Sequence, residues 1–151
     1  MQEELAHALH ARRPQIRERW EALLRVERAC SPLAHPDSLV HLVDWALDEV
    51  IAILRQTDSG AALVPEPAAE CLCGRNPYAG FFRAGEQAIM EALILIQVKQ
   101  AAALQPKDRD RAAAELAAAL RGIRNREVSS FCSLCQHRPA LEARAASARA
   151  V

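Results

Sequence analysis

Four cysteines form two close pairs that lie far apart along the chain. Cys71 and Cys73 come shortly before an Asn-Pro dipeptide, and Cys132 and Cys135 lie near the end of a later helical stretch. Paired thiolates can bind Zn²⁺, hold an iron–sulfur cluster or act as a redox dithiol. The alternative without chemistry is that these cysteines are small buried apolar side chains.

Two helices must position these pairs. The dipeptide Asn76-Pro77 predicts a helix N-terminus, with asparagine as the cap and proline in the first turn. We expect this helix to continue to about Leu104, and Pro106 to open a second helix that continues to about Gln136. If the two helices are antiparallel, residues whose numbers add up to about 210 lie side by side. Both cysteine pairs then reach the same end of one helical hairpin.

The spacing within each pair allows both thiols to reach one ion. On a helix, Cys132 and Cys135 point in directions about 60° apart. Cys71 and Cys73 belong to a turn in which Gly74 permits a tight backbone. We therefore predict a metal site joining the ends of the hairpin.

Zinc is the expected occupant, because a closed site of four thiolates is typical of structural zinc. Its predicted ligands are Cys71, Cys73, Cys132 and Cys135. An iron–sulfur cluster is the alternative, with Tyr78, Phe81 and Phe82 as an apolar shell. Glu70 and His137 are reserve ligands, and Cys30 stands apart as a packed residue.

Length and composition favour a single all-α domain. The chain has 151 residues, of which 51% are hydrophobic and only 4% aromatic, and alanine and leucine dominate. Such a composition favours helix over sheet. We expect a bundle of four to five helices over residues 1–138, with the long antiparallel hairpin at its centre, and an alanine-rich tail over residues 139–151.

Charge and hydropathy exclude several classes of partner. Lysine plus arginine and aspartate plus glutamate number 19 each, so no net charge recruits nucleic acid. Glu91 and Gln97 interrupt the best apolar stretch, which argues against a membrane span. The acidic N-terminus lacks the order of a signal peptide, so we expect a cytoplasmic protein whose thiols are reduced.

The remaining segments predict the rest of the bundle. Helices are expected over about residues 3–12, from Pro14 onward with Trp20 as a core anchor, and from Pro36 to about Gln56. The irregular segment 57–69 is a candidate lid over the cysteine end.

The helix after Asn76-Pro77 is apolar nearly all round, so it should be central in the bundle or buried in a dimer interface. Gly85 would let a neighbouring helix approach closely. Glu86, a polar residue in this apolar helix, is expected to hydrogen bond to another group, such as Arg83 or a side chain on another helix.

Other candidate residues carry less chemistry. His7 and His10 share a helix face, and His35 and His41 flank a helix start, but all four are expected at the surface. The sequence shows no catalytic triad, phosphate-binding loop or spaced carboxylate pair. We therefore expect a protein that is not an enzyme.

Two short motifs carry a resemblance to a known family. They are the Ile…Trp helix within Arg13-Pro-Gln-Ile-Arg-Glu-Arg-Trp20 and the helix start Arg75-Asn-Pro-Tyr-Ala-Gly80. In this order they resemble the N-terminal sensor domains of RsbR-type stressosome and related signalling proteins. The resemblance implies a globin-like fold without haem, often dimeric, that relays a signal to a partner. The second motif has one residue more before its glycine, and the cysteines are not part of the family's pattern.

These observations lead to one hypothesis and two alternatives. The hypothesis is a sensory or regulatory protein, a homodimer or the partner of a separate protein, whose zinc site clamps the hairpin. One alternative is a redox protein with Cys132 and Cys135 as its dithiol, or an iron–sulfur sensor. The other is a plain dimerisation module with inert cysteines.

Overall fold

A computed structural model describes residues 2–26, 32–57, 67, 69, 71, 74–100 and 105–135. Five long helices and one short helix make up most of this part of the chain, which contains no strand. They are α1 (Gln2–Ala11), α2 (Arg13–Val26), α3 (Pro36–Leu39), α4 (Val43–Thr57), α5 (Pro77–Lys99) and α6 (Pro106–Leu134). The predicted all-α bundle is confirmed. Cys30 and the predicted tail, residues 139–151, lie outside the described residues.

The helix starts at Asn76-Pro77 and Pro106 are confirmed. The Asn76 side chain caps α5 by accepting a hydrogen bond from the backbone N–H of Tyr78 at 2.9 Å. α5 ends at Lys99, and residues 101–104 lie outside the described part of the chain. α6 ends at Leu134, two residues short of the prediction, which is an ordinary difference for a helix terminus.

The helix predicted from Pro36 to Gln56 is not continuous. α3 stops at Leu39, and a 3₁₀ turn over Val40–Leu42 leads into α4. The backbone N–H of Val43 bonds to the carbonyl oxygen of Val40, the tighter spacing of a 3₁₀ helix. Valine and histidine at positions 40 and 41 are weaker helix formers than alanine or leucine, so the chain tightens here at little cost.

α5 and α6 form the predicted antiparallel hairpin. Near one end, the rings of Tyr78 and Phe131 lie 6.1 Å apart, edge to face. Near the other end, the Gln97 side-chain amide donates to the carbonyl oxygen of Arg109 at 3.1 Å. Both pairs of residue numbers add up to nearly 210, as predicted. The N-terminus of α5 and the C-terminus of α6 therefore lie together.

α5 packs against both α2 and α6. Trp20 of α2 is fully buried, as predicted, and its indole N–H donates to the carbonyl oxygen of Phe81 at 3.0 Å. The indole lies directly over Gly85, where an added Cβ would come within 2.1 Å of the ring. The predicted close approach at Gly85 is thus made by a side chain of α2.

The C-terminal third of α5 is not buried all round. Ile94, Leu95 and Val98 are 55%, 54% and 67% exposed. At this spacing the three aliphatic side chains lie on one face of the helix. These three residues are called the aliphatic face below.

Ion pairs join α2 to its neighbours. Arg13 donates to the carboxylates of Asp44 and Asp48 on α4, each through a contact of 3.0 Å. Its hydrogen bond to Asp48 holds the pKa of that carboxyl below its usual value. Arg19 makes a two-pronged pair with Glu91 of α5 at 2.7 and 2.9 Å. The N-terminal motif therefore has a structural explanation, because its arginines and Trp20 fasten α2 to the bundle.

Candidate thiol site

The candidate site begins with Asn76, which is 1% exposed. Besides capping α5, its amide nitrogen donates to the carbonyl oxygen of Val128 at 3.1 Å and to the Sγ atom of Cys132 at 3.4 Å. Both acceptors belong to α6. One buried amide thus joins the first turn of α5 to the stretch of α6 that carries a predicted ligand.

A second asparagine holds the chain that leads into α5. The side-chain oxygen of Asn125 accepts a hydrogen bond from the backbone N–H of Ala69 at 2.7 Å, and its nitrogen donates to the carbonyl oxygen of Pro67 at 2.9 Å. Asn125 was not predicted as a site residue. Its signal in the sequence is an asparagine in the middle of a helix, where its propensity is low and its side chain favours bonds to irregular backbone.

Cys71 lies between these two attachment points. The N–H of Gly74 donates to the carbonyl oxygen of Cys71 at 3.1 Å, closing a turn. Gly74 has φ = +64°, a conformation that L side chains rarely adopt. The predicted tight turn with glycine is confirmed.

Cys132 lies in the last turn of α6, and Cys135 is the residue that ends the helix. Cys135 has extended backbone angles, and its N–H donates to the carbonyl oxygen of Cys132 at 3.2 Å. Cys71, Cys132 and Cys135 are half-buried thiols rather than halves of a disulfide. All three are therefore partly accessible to an ion or a reagent.

The three predicted ligands that the structure describes, Cys71, Cys132 and Cys135, do not together form a metal-binding group. Among them, no three side chains of histidine, cysteine, aspartate or glutamate lie close enough together to hold one ion. Cys73, the fourth predicted ligand, and the reserve ligands Glu70 and His137 lie outside the described residues. So does most of the candidate lid over residues 57–69.

Aromatic rings lie beside the thiol end of the hairpin. Tyr78 is half-buried, with Phe131 on one side and Phe82 at 6.3 Å on the other. Phe81 and Phe82 are both buried in the core. Of the predicted apolar shell, Tyr78 lies at the thiol end beside Phe131, which was not predicted, whereas Phe81 and Phe82 belong to the core.

The weaker candidates are mostly surface residues. His7, His10, His35 and His41 are all exposed, as predicted. Glu86 is half-buried, and the described part of the chain shows no hydrogen bond or ion pair to it. Glu91 is the carboxylate of α5 that joins two helices. A hydrogen bond from Arg19, together with a weaker contribution from Gln87, lowers the pKa of Glu91 to about 2.

Comparisons with protein-family models, curated protein sequences and solved structures find no match to this chain. Among the described helices, none combines the length and apolar character needed to cross a membrane. The resemblance to RsbR-type sensor domains stays a prediction.

Proposed function

We propose that this chain is a small non-enzymatic regulatory protein whose thiols bind a metal ion, with zinc as the first expectation. The observation that carries the proposal is the contact between Asn76 and Cys132, because it brings the two cysteine-bearing segments to one place. The bonds of Asn125 to Pro67 and Ala69 support it from the other side. Cys71 lies along the chain between Ala69 and Asn76, the two residues that hydrogen bond to α6.

The proposed ligands are Cys71, Cys73, Cys132 and Cys135, with Glu70 and His137 in reserve. Metal binding by cysteines that come from separate segments is coupled to local folding, because the ion must draw the segments together. Gain or loss of the ion would then change the order of this end of the hairpin. Such a change is a signal that a partner protein or a second copy can recognise.

The first test is metal analysis of anaerobically purified protein, with an absorption spectrum and a thiol count before and after chelation. The proposal expects about one zinc per chain, no visible colour, and four thiols that become reactive only after the chelator is added. Cys132→Ser should lower both the metal content and the melting temperature. Cys30→Ser, which removes the one cysteine outside the proposed set, should leave the metal content unchanged.

Other outcomes identify the alternatives. Brown protein containing iron and sulfide would replace zinc with an iron–sulfur cluster. Metal-free protein whose four thiols react at once would overturn the metal proposal. Reversible oxidation of Cys132 and Cys135 in a redox titration would then favour the dithiol.

The exposed aliphatic face of α5 favours a second candidate, a dimerisation module. Ile94, Leu95 and Val98 are more than half exposed although they are aliphatic. Apolar groups clustered on one helix face are typical of association surfaces. The resemblance to dimeric sensor domains points in the same direction. This candidate expects a stable dimer that persists after all five cysteines are replaced.

A further inference from the structure

One side chain connects the sulfur of Cys132 to the beginning of α5. The side-chain oxygen of Asn76 accepts from the N–H of Tyr78, while its nitrogen donates to Val128 and to Cys132. The amide group is planar and rigid, so displacement of its nitrogen also displaces its oxygen. The same rigid amide group therefore makes both the cap of α5 and the contact with the thiol.

We propose that Asn76 makes the first turn of α5 responsive to the chemical state of Cys132. An asparagine amide has two N–H groups to satisfy, and here Val128 and Cys132 accept them. Asn76 is only 1% exposed, so water cannot readily replace a lost acceptor. If the sulfur is displaced or loses its acceptor character, the Asn76 amide loses one acceptor, and rotation of the amide to compensate would move its oxygen away from the N–H of Tyr78.

The cap lies next to the centre of the core. Pro77 follows Asn76 and is buried, and Phe81 lies one turn further on. The carbonyl oxygen of Phe81 accepts the hydrogen bond of Trp20. Loosening of the first turn of α5 would therefore disturb the position of Phe81, and with it the hydrogen bond that Trp20 of α2 donates to Phe81. This inference deepens the proposed function and rests on it for its biological meaning, since it states how a ligand at Cys132 alters the fold.

The test is a double-mutant cycle on chelator-treated protein, read by denaturant unfolding and by amide hydrogen exchange. Cys132→Val removes the acceptor and keeps an apolar side chain of similar size. We expect it to lower the folding equilibrium constant about fivefold to tenfold and to speed exchange at the Tyr78 N–H by a similar factor. When Asn76 is already alanine, the same change should cost less than about twofold.

Ser129→Val is the matched control, because it places the same β-branched side chain at an exposed position one turn earlier in α6. It should leave exchange at Tyr78 within about twofold of the unsubstituted protein. Equal effects of Cys132→Val with and without Asn76 would overturn the inference. So would Tyr78 exchange that does not respond to Cys132→Val.

The cycle uses metal-free protein, so its outcome is independent of whether the chain binds zinc. If metal analysis finds no metal but the cycle shows coupling between Asn76 and Cys132, only the proposed function is rejected. If zinc binds through Cys132 but amide exchange at Tyr78 is the same with and without zinc, the inference about Asn76 is rejected and the metal site is retained.

Discussion

Substitution of Gly85 by alanine tests whether the indole of Trp20 really occupies the surface of α5. An alanine Cβ would lie 2.1 Å from Cζ2 of Trp20 and 2.5 Å from both Cε2 and Cη2. Carbon atoms in contact are normally about 3.5–4.0 Å apart. The ring must therefore move by more than about 1 Å, yet it is fully buried and bonded to the carbonyl oxygen of Phe81.

The size of the effect follows from three contributions. Overpacking in a core costs about 1–3 kcal/mol, and loss of the partner of a buried indole N–H costs about 1–3 kcal/mol more. Alanine in place of glycine within a helix offsets these costs by stabilising the helix by about 1 kcal/mol. We expect Gly85→Ala to destabilise the fold by about 3 kcal/mol, which for a chain of this size lowers the melting temperature by about 6–12 °C.

Gly122→Ala provides the matched control. Gly122 is also helical, but it is exposed and an added Cβ would meet no atom within 4 Å. The same substitution should therefore raise stability there by up to about 1 kcal/mol. Thermal unfolding followed by circular dichroism measures both variants. The reasoning is refuted if Gly85→Ala melts at or above the temperature of Gly122→Ala.

A third variant separates a Trp20 clash from a general effect of alanine on α5. Trp20→Phe replaces the indole by a shorter single ring, and all three atoms nearest to the new Cβ belong to the six-membered ring of the indole. In that background Gly85→Ala should cost at least about 1 kcal/mol less than in the unsubstituted protein. Additive costs would mean that the indole is not what the Cβ meets.

Three further predictions concern charge, docking and association. The lowered pKa of Glu91, about 2 against a usual 4.5, means that its pair with Arg19 stabilises the fold above about pH 4.5 and less as the pH falls toward 2. Because both side chains are nearly half exposed, Glu91→Gln should lower the free energy of unfolding by only about 0.5–1 kcal/mol at pH 6. Urea titrations should show this difference between the variant and the unsubstituted protein disappearing near pH 2. A difference that stays constant with pH would contradict the assignment. Asn125→Ala should speed amide exchange in the segment that leads into α5, with little change in α1, and equal exchange would show that the asparagine does not hold that segment. If the aliphatic face forms a dimer, Leu95→Lys with Val98→Lys should yield monomers in sedimentation equilibrium without loss of helix content, whereas a persistent dimer would place the interface elsewhere.

Much of the hairpin was predictable because its signals are local. An asparagine before a proline caps a helix through atoms only two residues apart, and Pro106 opens the next helix for the same kind of reason. Periodicity identified Trp20 as a core residue. The break between α3 and α4 was missed, because a change from α-helical to 3₁₀ winding involves small differences in propensity that no strong residue such as proline marks.

Only the approximate location of the candidate site was predictable from the sequence, and its individual contacts were not. Antiparallel pairing required that both cysteine-bearing segments reach one end, and the contact of Asn76 with Cys132 agrees with that. The role of Asn125 was missed, because its partners lie 56 and 58 residues away. Glu91 was noted only as an interruption of an apolar stretch, and its partner Arg19 lies 72 residues away.

The sequence by itself determined most of the helices, their order and core residues such as Trp20, because capping, proline and apolar spacing act within one or two turns. Only the tertiary structure decided that the indole of Trp20 rests on Gly85, and that one buried amide serves both the cap of α5 and the sulfur of Cys132. The contacts of Trp20 with Gly85 and of Asn76 with Cys132 join residues more than 50 positions apart. They depend on how whole helices pack, which local propensity does not encode.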